Sequence, residues 1–119
     1  MDERLLQRLE DILEAIERIG VLTVHMDEVN YCREDNWPVR AAVERLVIIA
    51  AEALIWVRHH ESQVFADIPD GPRAISLRNV IVHQYQHVDD EVIWQTIAEC
   101  LPELSVQVGA MLTTQKDEL

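Results

Sequence analysis

Leu5, Leu9, Ile12, Ile16 and Ile19 recur at intervals of three and four residues, and Glu10, Asp11, Glu14, Glu17 and Arg18 fill the positions between them. An α-helix returns to one face at that interval, so this segment must lay an apolar stripe against a partner while its other side stays wet. The partners should be further helices. The chain has only three glycines and four prolines in 119 residues, about half of average usage, which argues against turn-rich sandwiches, collagen and disorder. With 49% of its residues hydrophobic it can build a real core, and its length suits one domain. The expectation is an all-α chain, a four- to five-helix up-and-down bundle forming a single domain over residues 1–119.

The first helix continues past Gly20 towards Met26 and gives out in Arg33-Glu34-Asp35-Asn36. There Asp35 or Asn36 can cap a second helix, with Pro38 in its first turn. Residues 46–51 are apolar on every face, as in the most buried helix of a bundle, and this helix should run to about His59. The run Ile68-Pro69-Asp70-Gly71-Pro72 signals a loop, after which a third helix is expected over 73–87. Asp89, Asp90 and Glu91 start a fourth, because acidic side chains there cap free amides and suit the positive end of the helix dipole. Val92, Ile93, Ile97 and Leu101 form its stripe, Pro102 marks a bend or restart, residues 104–112 make a last helical stretch, and a polar tail begins at about 113.

Twenty-two acidic against ten basic residues give a formal net charge of -12. That opposes loose attraction to nucleic acid or to an anionic membrane, so any contact with a polyanion has to be local. Nine of the ten cations are arginine and the other is Lys116, which favours planar, bidentate gripping of phosphate or carboxylate. Cys32 and Cys100 form no CxxC pair and follow no secretory signal, so a reduced, cytoplasmic protein with inert cysteines is expected. The longest unbroken apolar run, 46–51, is far short of the roughly 20 residues of a membrane span.

The chemistry concentrates in Leu77-Arg78-Asn79-Val80-Ile81-Val82-His83-Gln84-Tyr85. At about 100° per residue, Arg78, Asn79, His83, Tyr85 and Gln86 fall within one arc, opposite Ala74, Leu77, Val80 and Ile81. A guanidinium, an amide, an imidazole and a phenol could therefore converge on one ligand, a set suited to phosphoryl chemistry. The wet side of an ordinary amphipathic helix meets the same spacing.

Arg78, four intervening residues, His83, one residue and Tyr85 resemble the motif of the HepT toxins, in the HEPN superfamily. Val88-Asp89-Asp90 before Val92-Ile93-Trp94, and then Leu101-Pro102-Glu103-Leu104, resemble the segment downstream of that motif; residues 12–19 resemble the first helix, and Glu44-Arg45 through Glu52-Ala53 the second. The resemblance implies a HEPN-like helical domain that pairs as a two-fold homodimer, with two motifs in a shared cleft. It implies a toxin of a type II toxin-antitoxin system that cuts RNA without a metal or other cofactor. An imidazole can move protons at neutral pH, and RNA, unlike DNA, carries its own nucleophile in the 2′-hydroxyl. On that basis His83 is the expected general acid or base, Arg78 the cation on the phosphate, and Asn79 an orienting hydrogen-bond partner. The resemblance further implies a minimal nucleotidyltransferase antitoxin that adenylylates Tyr85, placing a bulky anion beside Arg78. The other class of function is a non-catalytic helical module that docks a nucleotidyltransferase or a nucleotide, and the net charge favours it slightly.

His83 and His87 have the spacing of helix-borne zinc ligands, yet no nearby cysteine or third histidine is evident, so no metal site is expected. His59 and His60 point about 100° apart and are read as favouring a helix C-terminus. Trp56 and Trp94 are expected in the core or a dimer contact rather than as base-stacking platforms. Glu52 is either an exposed edge residue or a buried partner for an arginine, the second being the expectation.

Overall fold

The computed structural model describes residues 2–84 and 87–118. It contains α1 (Glu3–Thr23), α2 (Glu28–Tyr31), a 3-10 turn (Glu34–Asn36), α3 (Trp37–His60), α4 (Ser62–Ala66), α5 (Gly71–His83) and α6 (Asp90–Asp117). The protein is an all-α bundle of the expected kind. Four long helices, α1, α3, α5 and α6, carry it, and α2 and α4 are short additions between them.

Leu5, Leu9, Ile12 and Ile19 of α1 are buried, as the spacing requires, and Ala15 joins them while Ile16 sits at the flank. Each fully buried aliphatic side chain contributes roughly 1.5–3 kcal/mol. The stripe faces α3, whose Val43, Val47, Ala50, Leu54 and Val57 are buried, and α6, which supplies Ile93, Ile97, Leu104 and Val108. Direction follows from the pairs that meet. Lys116 near the end of α6 reaches Glu10 of α1 at 3.6 Å, Arg73 of α5 reaches Glu99 of α6 at 2.6 Å, and Arg40 and Asp90 join the starts of α3 and α6. The long helices therefore run up and down in turn.

Caps explain most of the boundaries. Asp2 accepts from the Arg4 amide at 2.8 Å to open α1, and Asp89 accepts from the amides of Glu91 and Val92 to open α6, as acidic caps should. Asp27 and Asn30 exchange side-chain bonds across α2 in a capping box. Neither Asp35 nor Asn36 caps α3 through its side chain. Asn36 instead donates from Nδ2 to the Asn30 carbonyl at 2.6 Å, and Asp35 pairs with Arg33.

Several expected boundaries move. The first helix stops at Thr23, short of Met26. The third helix begins at Gly71 and ends at His83, four residues before His87. Its buried face is Ala74, Leu77 and Ile81, and the next position on that face is Gln84, so the stripe has nothing apolar with which to continue. In α6 the helix passes through Pro102 without a break and goes on to Asp117, which absorbs both the expected restart at 104 and the expected tail from 113. The missing proline amide falls where Ala98 and Pro102 are exposed, so the unpaired carbonyl can face water while Ile97, Cys100, Leu101 and Leu104 keep the buried face together.

Two polar fasteners hold the bundle ends. Gln107 of α6 accepts from the Asp70 amide at 2.9 Å and donates to Asp70 Oδ2 at 2.7 Å, pinning the entrance of α5. Beside it a Cβ on Gly71 would lie 2.8 Å from the Phe65 ring, which is why glycine serves at this close approach. At the other end Arg40 is buried, donates to the carbonyls of Tyr31 (2.8 Å) and Arg33, and pairs with Asp90 Oδ2 at 3.3 Å. One side chain thus ties the α2 region to both α3 and α6.

Candidate active site

The motif side chains lie on the last two turns of α5, beside the middle of α3. Arg78 is about three-quarters buried and donates from Nη2 (2.7 Å) and Nε (3.1 Å) to Oε1 of Glu52 on α3. Its Nη1 donates to Oδ1 of Asn79 at 2.9 Å. A guanidinium has five N–H groups; these three bonds leave one on each terminal nitrogen, the pair that grips a phosphate in parallel. Glu52 is the arginine's partner, but at 51% exposure it is not the buried partner the sequence suggested. A half-wet ion pair of this kind contributes little stability, so its consequence is orientation.

Asn79 and His83 are both exposed, and His83 is the final residue of α5. The structure brings Arg78, Asn79 and Glu52 into one bonded group, with His83 one turn beyond Asn79. Tyr85, the expected modification site, and Gln86 lie outside the described residues. His87 follows the end of α5, its amide bonded to the Gln84 carbonyl at 2.8 Å, so it does not stand one helical turn above His83 as a zinc pair would. Among the described residues no three histidine, cysteine, aspartate or glutamate side chains gather as a cation cage.

The remaining reactive groups are quiet. Burial pushes the Cys100 thiol up to about 11 and raises Cys32 as well, so neither is a thiolate at neutral pH. Trp94 packs against the buried Tyr31 ring at 5.3 Å with the planes tilted by 38°. His60 sets Nδ1 3.0 Å from the Trp56 carbonyl, in keeping with the helix-end reading. Sequence reasoning did not single out Arg8 and Arg45, which line a groove of about 600 Å³ between α1 and α3 together with Glu52, Trp56, His59 and His60. The signal was present: Arg45 and Glu52 are seven residues apart and share a face of α3. It also missed Arg40, although its place three and seven residues before the buried Val43 and Val47 puts it on the inner stripe.

Among the described residues no helix is long and apolar enough to cross a membrane. Comparison with known proteins narrows the family. A candidate RNase of Methanocaldococcus jannaschii is 27% identical over 100 residues, covering 84% of this chain and 89% of the relative. A protein of Thermococcus cleftensis described as a probable ribonuclease HepT is 33% identical over 99 residues, covering 81% of this chain and 84% of its own. No solved structure matches. Residues 12–111, from the first buried stripe through the motif to the far part of α6, match the family described as ribonuclease HepT-like, and the chain belongs to that family.

Proposed function

We propose that this protein is the toxin component of a type II toxin-antitoxin system and cuts RNA as a metal-independent endoribonuclease. The observation that carries this reading is the Arg78 guanidinium, held by Glu52 and Asn79 with two N–H groups left over among the described residues, next to an exposed imidazole on the same helix. In the reaction the substrate's 2′-oxygen attacks the adjacent phosphorus and the 5′-oxygen leaves. His83 moves a proton, taking it from the 2′-hydroxyl or giving it to the leaving oxygen, and Arg78 binds the nonbridging oxygens as their charge grows. Asn79 keeps the guanidinium turned towards them. A two-fold homodimer would set two such motifs across one cleft and so offer both a base and an acid.

Incubation of the purified protein with cellular RNA is expected to give products ending in 2′,3′-cyclic phosphate, at a rate unchanged by EDTA. Abolition of cleavage by EDTA would overturn the metal-independent mechanism, and no cleavage under any condition would favour a non-catalytic module that docks a nucleotidyltransferase or a nucleotide.

Regulation is proposed from the motif sequence. Tyr85, two residues along the chain from His83, is the proposed acceptor for adenylate from a minimal nucleotidyltransferase antitoxin. An attached nucleotide would occupy the phosphate position and repel RNA. Tyr85→Phe is expected to cut RNA yet resist neutralisation, with mass spectrometry finding adenylate on the wild type only. Full neutralisation of that variant would mean that the partner works by occlusion.

A further inference from the structure

We propose that the groove between α1 and α3 is a binding track for single-stranded RNA leading to Arg78, an inference that rests on the ribonuclease reading and deepens it. The first ground is charge. Arg8 and Arg45 line the groove, Arg4 and Arg8 reach the Trp56 ring in it, and Arg78 meets its wall through Glu52. Four of the ten cations of the chain therefore cluster here against three acids, Asp11 and Glu52 in the lining and Asp2, which pairs with Arg4 at 3.1 Å. The rest of the protein carries six cations and nineteen acids. A polyanion repelled by that remainder finds its favourable contact in this groove.

The second ground is unmet bonding capacity. Among the described residues Arg8 Nε is buried without a hydrogen-bond partner, and the guanidinium's ion pair is a long one, to Asp11 at 3.9 Å. Arg45 is exposed and makes no ion pair among the described residues. Both are arginines, the fork that matches a phosphate.

The third ground is the floor. Ile48, Ile49 and Ile55 leave apolar surface open in the groove, and the His60 ring lies on Trp56 at 4.3 Å and 16°. Bases settle on such platforms whatever their sequence while the backbone follows the cations. The α3 helix is thus not buried all round: the apolar positions that read as core from sequence include the wall of this groove.

Fluorescence anisotropy with a labelled 2′-O-methyl RNA of about twelve nucleotides reads binding without cleavage, because the blocked 2′-oxygen cannot attack. Arg45→Glu is expected to weaken binding about tenfold or more near 0.1 M salt and to lower the slope of log K against log salt by about one. His60→Ala should weaken it about threefold through the lost stack. Arg33→Glu, the same charge reversal away from the groove, should change binding about twofold or less. Equal losses from Arg45→Glu and Arg33→Glu, or none from either, would overturn the proposal. So would a change of oligomeric state in Arg45→Glu without a change in RNA affinity, since the groove would then be an interface between copies. The two readings fail separately. Unmodified RNA cut with an unaltered KM by Arg45→Glu removes the track and keeps the ribonuclease; binding with the expected pattern but without cleavage of unmodified RNA removes the ribonuclease and keeps the track.

Discussion

Replacing His83 or Arg78 by alanine is expected to slow RNA cleavage by about a thousandfold or more while the far-ultraviolet circular dichroism stays that of the wild type. The loss is large because both groups are asked to act on the transition state: one moves a proton, and the other takes up charge that the ground-state phosphate has not yet developed. The fold should survive because His83 is an exposed helix end and the Arg78–Glu52 pair is half in water. Single-turnover rates against a fixed RNA measure the effect. A variant that keeps more than about a tenth of the activity would remove that residue from the chemistry, and one that loses its helicity would make the residue structural. Mixing the two variants adds a test of the cleft: partial recovery of activity means that each cleft draws on both chains.

Arg40→Ala should have the opposite profile, with a large loss of stability and a smaller effect on chemistry. It strips the donor from the buried Tyr31 carbonyl and the part-buried Arg33 carbonyl, and leaves Asp90 facing Glu44 without the cation between them. Removing one partner of a buried ion pair costs about 3 kcal/mol or more, which for a domain of this size lowers Tm by about 10 °C or more. The pH dependence identifies the cause. Burial, and then the neighbouring Asp90 carboxylate, already hold Glu44 above the usual carboxylate range, and Arg40 offsets part of that rise. Without the arginine the two carboxylates repel more strongly, so the folded variant binds protons more readily than its unfolded chain and gains stability as pH falls. The difference in Tm between variant and wild type should therefore narrow between pH 7 and pH 4.5. A gap that stays constant or widens would assign the loss to packing alone.

The helices were legible because their stripes and caps are local: Leu5, Leu9, Ile12 and Ile19 state the period of α1, and Asp89 states the start of α6. Their lengths were less so. Pro102 reads as a bend or restart, since sequence alone does not show that its exposed side lets water take the freed carbonyl while packing on the other side keeps the helix whole. The end of α5 at His83 was visible in principle, because Gln84 breaks the stripe, but the polar arc through Tyr85 and Gln86 suggested continuation. At the candidate site the spacing of Arg78, Asn79 and His83 put them on one face. Glu52 could not be placed that way, being twenty-six residues from Arg78 and brought to it by the packing of α3 on α5. Arg8 was hidden for the same reason, as it becomes a neighbour of Arg45 only when α1 lies against α3.

The fastening of α5 grades its rigidity along its length. Its entrance is doubly hydrogen-bonded to Gln107 and tied again through Arg73 to Glu99, and its middle is held by Glu52. Past Ile81 the described residues of its last turn bury no apolar side chain. The helix is therefore a cantilever, clamped at Gly71 and loose at His83, and the free energy needed to open a turn falls from the root to the tip. On the proposed reading, the His83 imidazole at the tip would follow a phosphate through a small arc during attack and departure, while the Arg78 guanidinium nearer the clamp would keep a fixed aim.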